Sequence, residues 1–377
     1  MGLKVAILTP TYCGRDILEY YFQSAIKHKI DPDMFLFVVK PCQDKQKDSI
    51  ITIEKYKDIL DNIAIVNYKG EYGFIKQILL GLRILRRLNF DIVIFTDDDT
   101  YFIDNKYITK YLEHYENRII GGVAGRVVDA KVQPTGDITL LGQYVSIPPK
   151  KLYLWRKPAT NEIYQLYFTK GGYLASWGND TYHVIRGKRI IPSLLGVGAN
   201  MSIRLKALEN LIDRYDLLPN MFVGMRYEQI LGFHIVKNKY KVIKDYDIIT
   251  LHLFRETGET RAPRPSRTGT LTATDEFIYY YLKNLYKSDF SFTYHLISIL
   301  QRFYNHTLIE PRLSYRKCRF ETWIGRIIGH LFGNTLGIWY NLTKNKDYFY
   351  HYFVNFDKKL RFLDKCMNSR QSQPSHS

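Results

Sequence analysis

A mostly parallel α/β sheet flanked by helices is predicted by three features of the early chain. These are short β-branched and aromatic runs, amphipathic stretches between them, and a carboxylate cluster where the fourth run ends. The runs Val5 to Leu8, Phe35 to Val39, Ile63 to Val66 and Ile92 to Phe95 read as buried strands. Between them, Ile17 to Ile26, Ile50 to Leu60 and Phe74 to Leu88 carry apolar residues at helical spacing. Such alternation predicts right-handed crossovers. From Ile119 to about Ile191 the pattern changes to short apolar runs punctuated by Gly121-Gly122, Pro148-Pro149 and Gly171-Gly172, as expected of a mixed-sheet insertion with long loops. Helices are expected over Ser202 to Arg214 and Tyr227 to Lys237, and strands over Lys241 to Ile243 and Ile248 to Leu253.

After Thr270 the chain turns to aromatic-rich helices with basic connections. The sequence therefore divides into an α/β domain over 1–270, a basic, aromatic helical extension over 271–367, and a polar tail over 368–377 expected to be disordered. In the extension, Ile324, Ile327, Ile328, Leu331, Phe332, Leu336 and Trp339 form an apolar stripe, interrupted too often by polar residues for a membrane span. With Arg312, Arg316, Lys317 and Arg319 before it, the stripe suits peripheral contact with an anionic membrane surface, and packing on the α/β domain suits it equally.

Bulk composition narrows the class. With 377 residues, 46% hydrophobic and 24% charged, the chain is that of a soluble globular protein rather than a disordered one. Its net charge of +17 predicts attraction to nucleotides, lipid head groups or nucleic acid. Cys13, Cys42, Cys318 and Cys366 lack zinc or redox spacing, and Met1 leads directly into a strand without a secretory leader. A reduced, cytoplasmic setting is expected, at the inner face of the cell membrane if the stripe meets lipid.

Asp97, Asp98 and Asp99 follow the fourth strand, at the sheet edge where open α/β folds place ligands. Carboxylates there share a hard divalent cation, Mn²⁺ or Mg²⁺, which in turn grips a diphosphate; a solvated acidic turn is the alternative. His252, on the strand Ile248 to Leu253, reads by itself as a packed core histidine. Glu228 opens a helix, where the helix dipole alone also favours an acid.

Val5-Ala6-Ile7-Leu8-Thr9-Pro10-Thr11-Tyr12, the acid cluster, Gly198-Ala199-Asn200-Met201-Ser202-Ile203-Arg204 and Tyr227-Glu228 occur in an order that resembles the family 2 glycosyltransferases of the GT-A fold, from the N-terminus to about Lys287. The resemblance implies a donor cradle of Thr9, Pro10, Thr11 and Tyr12, with Arg15 near the phosphates and Lys76, after Gly70-Glu71-Tyr72-Gly73, against base or phosphate. It implies metal ligation by Asp97, Asp99 and His252, with Asp98 beside them in the donor site, and a diphosphate clamp of Arg255 and Arg261. Glu228 is implied as the base that deprotonates the acceptor hydroxyl. Tyr227, Gly198, Asn200 and Trp177 are implied around the acceptor. The donor is a nucleoside-diphosphate sugar and the acceptor a glycan or lipid-linked hydroxyl.

One departure concerns the second strand. The family places an aspartate there to read uracil, whereas this chain runs Val38-Val39-Lys40-Pro41-Cys42-Gln43-Asp44, and a lysine accepts no hydrogen bond. Two other classes are weaker. A nucleic-acid-binding protein fits the charge, but the chain carries no recognisable binding module. A sugar-nucleotide nucleotidyltransferase calls for a Gly-rich basic loop after the first strand, which Thr9 to Arg15 does not supply.

Overall fold

The computed structural model describes residues 2–70, 74–133, 135–143, 145–148, 150–151, 153–162, 164–196, 198–208, 212, 226–254, 265–304, 319–343 and 355–356. The early chain alternates as its periodicity predicts: β1 (Val5–Tyr12), α1 (Arg15–Lys27), β2 (Met34–Lys40), α2 (Ser49–Lys57), β3 (Ile63–Asn67), α3 (Phe74–Arg87) and β4 (Ile92–Phe95). These strands lie parallel in the order β3-β2-β1-β4. All of β4 and nearly all of β1 are buried, which matches their unbroken apolar runs.

β1 is longer than its apolar run suggests, because it continues through Pro10 to Tyr12. Pairing with β4 stops at Leu8, whereas pairing with β2 runs on to Lys40. Pro10 thus sits where one side of the strand needs no ladder donor.

Beyond β4 the sheet becomes mixed. β5 (Thr100–Phe102) precedes α4 (Tyr107–Tyr115), and β6 (Ile120–Val132) is a long strand paired with β7 (Ile138–Leu140). β8 (Leu166–Phe168) and β9 (Leu174–Ser176) form a separate hairpin, followed by α5 (Asp180–Ile185) and the edge strand β10 (Ile190–Pro192). The expected helix from Ser202 is replaced by β11 (Met201–Arg204), which fills the gap between β4 and β6, antiparallel to both. Strong alternation is not needed there, since both faces are covered and Met201, Ser202 and Ile203 are all buried. A short 3-10 turn, Leu205–Leu208, follows; most of 209–214 lies outside the described residues. α6 (Tyr227–Lys237) leads into β12 (Lys241–Leu253), one continuous strand where two short ones were expected, paired parallel with β6 and antiparallel with β5.

The C-terminal helices α7 (Pro265–Leu285), α8 (Phe292–Tyr304) and α9 (Arg319–Thr343) complete the described elements. Ala273, Phe277, Ile278 and Tyr281 of α7 join the apolar cluster that holds Leu8, Val93 and Phe95 of the sheet. On α9, Ile328, Phe332, Leu336 and Trp339 pack on this cluster, while Leu331 is 67% exposed and Leu342 79%. Most of the stripe therefore faces protein. Among the described residues, no helix is long and apolar enough to cross a membrane. Arg312, Arg316, Lys317 and the tail 368–377 lie outside the described residues.

The cysteine expectation is corrected. Cys13 and Cys42 form a disulfide, because the parallel pairing of β1 with β2 carries the loops after both strands to the same edge. Their separation of 29 residues concealed the pair in the sequence, and the cysteine argument for a reduced compartment falls with it.

Candidate active site

The acid turn is built by its neighbours. The amide of Asp97 donates to Thr100 Oγ1 (3.2 Å), the amide of Thr100 returns a bond to the Asp97 carbonyl (3.1 Å), and the amide of Leu253 donates to the Asp99 carbonyl (2.9 Å). Register places His252 of β12 between Thr100 of β5 and Asp129 of β6. Its Nε2 stands 3.0 Å from Asp99 Oδ1 and its Nδ1 3.1 Å from Asp129 Oδ1. Burial disfavours a charged His252, but Asp129, Asp99 and Asp97 override it and lift its pKa to about 9.

One ligand atom each from Asp97, Asp99 and His252 lies within 4.8 Å of the others. Two carboxylates and an imidazole suit Mn²⁺ well, and a second carboxylate on the far ring nitrogen, here Asp129, is the usual support of a metal-bound histidine. The residues present fit a divalent cation.

Glu228 sits in the first turn of α6, and the Gly198 amide donates to its Oε1 at 3.1 Å. Burial pushes its pKa up to about 8; the charge on Asp97 adds to this, while the Gly198 bond and Arg226 oppose it. The 3-10 turn Gly198–Asn200 also touches the acid turn, since Thr100 Oγ1 donates to the Ala199 carbonyl at 3.4 Å. Asp97, Thr100, Ala199, Gly198 and Glu228 thus form one chain of contacts from the cation ligands to the carboxylate.

Gly198 is required by shape: a Cβ there would stand 2.0 Å from the Tyr227 hydroxyl. Tyr227 is 3% exposed and meets Phe74 edge-to-face at 5.2 Å. The ring, implied around the acceptor, packs inward with no face open to a sugar. Asn200, expected at the acceptor pocket, is likewise a core pin. Its Oδ1 accepts from Tyr107 (3.0 Å) and Tyr111 (2.7 Å), and its Nδ2 donates to the carbonyls of Arg126 (2.9 Å) and Ile248 (3.0 Å). All four hydrogen-bonding capacities are filled, leaving none for an acceptor.

Four strands paired in parallel succession, then the antiparallel β11 and the parallel pair β6 and β12, set the acid turn at the carboxyl end of β4. The crystal structure of GalNAc-T7 with UDP, GalNAc and Mn²⁺ matches this arrangement at a TM-score of 0.50 and 11% identity, covering 81% of this chain. The fold is the GT-A fold. This chain covers 58% of the GalNAc-T7 chain. It is also similar to S. aureus TarS 1-349 (TM-score 0.48, 14% identity, 99% of this chain and 93% of that one). A mannosyltransferase from Pyrobaculum calidifontis, PcManGT, gives a TM-score of 0.46 at 11% identity, over 99% of this chain and 89% of that one. No protein-family model and no curated protein matches the chain.

The end of β1 and the loop after it adjoin the acid turn. Thr9 turns inward to Thr96 Oγ1 (2.7 Å) and Tyr21 (3.2 Å), so it braces the strand rather than facing outward. Thr11 Oγ1 donates to Asp98 Oδ2 (2.6 Å) and meets Ser49 Oγ (2.8 Å). Asp98 thereby ties the acid turn to the end of β1. Tyr12 is 47% exposed, with Lys40 Nζ 5.4 Å from its ring centre, and Arg15 donates to the Gln46 carbonyl (2.9 Å). Lys76 is exposed in the first turn of α3. Asp44 caps a short turn through the Gln46 amide (3.0 Å). Trp177 is half-buried after β9, where its carbonyl accepts from His183 (2.7 Å). Arg255 and Arg261, with Glu71, Tyr72 and Gly73, lie outside the described residues.

Sequence reasoning missed Ser49, Gln77 and Asp129. Gln77 is 3% exposed and ties the Thr11 and Val38 carbonyls together (3.2 and 2.7 Å). A lone amide among Phe74, Ile75, Ile78 and Leu79 was its available signal. Asp129 offered none, since only strand register brings it to His252.

Proposed function

We propose that the chain is a metal-dependent, inverting glycosyltransferase of the family 2 type, moving a sugar from a nucleoside-diphosphate sugar to a hydroxyl of a glycan or lipid-linked acceptor. One observation carries this reading: a cation-type ligand set, Asp97, Asp99 and His252, coupled through the Gly198–Asn200 turn to a buried carboxylate, Glu228. The GT-A fold supports it, and the bound UDP and Mn²⁺ of GalNAc-T7 make those ligands the natural first probes.

Asp97, Asp99 and His252 would hold Mn²⁺ or Mg²⁺, which when bound offsets the charge gathering on the departing diphosphate. Asp129 orients the imidazole of His252. Tyr12, Arg15 and Lys76 are the candidates for the nucleotide side, and Arg255 and Arg261 for the diphosphate clamp. A hydroxyl is too weak an acid to attack unaided, so Glu228 in its ionised form takes its proton as the new bond forms at the anomeric carbon on the face opposite the leaving group. Gly198 and Trp177 border the acceptor side. The exposed side of α9, with Leu331 and Leu342, gives this basic chain a surface for peripheral contact with anionic lipid.

A panel of UDP- and GDP-sugars with Mn²⁺ or Mg²⁺, read as thermal stabilisation and slow hydrolysis, tests the proposal. At least one nucleotide is expected to stabilise the protein only with metal, and Glu228→Gln to keep that stabilisation while losing about 10²- to 10⁴-fold in turnover. Full turnover in Glu228→Gln excludes this base.

A further inference from the structure

The residue that precedes Tyr227 and Glu228 is held in an unusual way. Arg226 has φ 68° and ψ 3°, in the left-handed region that side-chain-bearing residues seldom occupy, and it caps α6 without any capping hydrogen bond from its side chain. Its guanidinium instead reaches α7 and grips Asp275 with both ends, Nε to Oδ1 at 2.9 Å and Nη2 to Oδ2 at 3.4 Å. Arg302 of α8 holds the same carboxylate at 3.4 Å and stands 3.7 Å from Glu276.

Glu276 fixes the frame behind them. Fully buried, it accepts from the Tyr173 hydroxyl and from Asn334 Nδ2 of α9 (3.1 Å), and meets His330 Nδ1 of α9 at 2.6 Å. Neighbouring residues of one helix therefore anchor α9 on one side and Arg226 on the other. A change in φ at Arg226 would swing Tyr227 and Glu228 together. Tyr227 has no space to follow such a swing, because Gly198 already touches its hydroxyl.

We infer that the ion pair of Arg226 with Asp275 positions Glu228, so that the C-terminal helices complete the active site; Arg226 and Asp275 are positioning residues for the transfer step. The inference rests on the reading of Glu228 as base. It gives the C-terminal helices a task in the reaction, distinct from any contact with lipid.

The test uses the full chain with Arg226→Asn and Arg226→Lys. Asparagine tolerates the left-handed conformation but cannot reach Asp275 as a charged fork, whereas lysine keeps one ion pair. Hydrolysis of UDP-N-acetylglucosamine and GDP-mannose with Mn²⁺ is measured alongside crystal structures of both variants. Arg226→Asn is expected to lose about 100-fold in kcat, as for a group displaced by an ångström, with donor KM nearly unchanged, and Arg226→Lys to recover part of the loss. In the crystals, the 3.1 Å contact between Glu228 and the Gly198 amide is expected to break in Arg226→Asn and persist in Arg226→Lys.

An intact contact in Arg226→Asn overturns the inference, and that readout needs no turnover. So does a loss in which kcat and donor binding fall together with thermal stability. Glu228→Gln, run in parallel, separates the two claims: wild-type turnover there removes the base reading, while an intact contact in Arg226→Asn removes only the positioning role.

Discussion

At the scale of single residues, two protonation states give predictions of opposite sign. Glu228 titrates at about 8 in the fold against 4.5 for a free side chain. Between those values the folded chain holds a proton that the unfolded chain has released, so stability from this group falls as pH rises. Glu228→Gln should therefore melt a few degrees higher than wild type, with the gain near zero at about pH 4 and largest at about pH 9. A gain that ignores pH would show that Glu228 is not the buried acid described. His252 is raised from 6.5 to about 9, so its contribution is complete below 6.5 and disappears as pH climbs through about 9. A cation must displace that proton. Stabilisation by Mn²⁺ should thus be small at about pH 6, grow toward about pH 9, and vanish in His252→Asn.

At the scale of elements, the short turn ahead of β11 does the joining. Asn200 ties Tyr107 and Tyr111 of α4 to the backbone of β6 and β12, so Asn200→Ala would leave two hydroxyls and two carbonyls to find other partners. A loss of about 3 kcal/mol or more is expected from urea unfolding, with a lower midpoint and an unchanged slope. This turn also marks where sequence reading was strong and where it failed. Apolar runs such as Ile92 to Phe95 and the helical spacing of Phe74 to Leu88 announced β4 and α3, because β4 is buried throughout and α3 buries one face. Met201-Ser202-Ile203-Arg204 carries no strand-like alternation, because a strand buried on both faces needs none, and only pairing with β4 and β6 reveals it. Asp97 and Asp99 were legible as candidate cation ligands from their chemistry, His252 only through the family resemblance, and the fold brings the three together. Thr9 and Asn200 were legible as polar residues near the site but not in their direction, which the core decides.

For the whole molecule, the C-terminal helices are bound to the α/β sheet by apolar packing and by a buried polar network around Asp275 and Glu276. Burial opposes ionisation of both carboxylates, but Arg226 and Arg302 hold Asp275 low, and His330 with Arg302 hold Glu276 low. Stability from this pair is therefore present above the ordinary carboxylate range and lost as pH falls through it. Glu276→Gln should flatten the acid limb of a stability profile and lower the melting temperature at neutral pH, where the charge is in use. An unchanged acid limb would place the acid sensitivity elsewhere. None of this network was visible in the sequence, since Arg226, Asp275, Arg302 and His330 come from four separate segments and meet only in three dimensions.

The most direct measurement of the central claim is a crystal structure with Mn²⁺ and the sugar nucleotide that stabilises the protein, with the metal located by its anomalous scattering. The ion is expected on Asp97, Asp99 and His252, the diphosphate on the ion, and the sugar between it and Glu228. An ion held elsewhere, or a sugar whose anomeric carbon Glu228 cannot face, would contradict the claim.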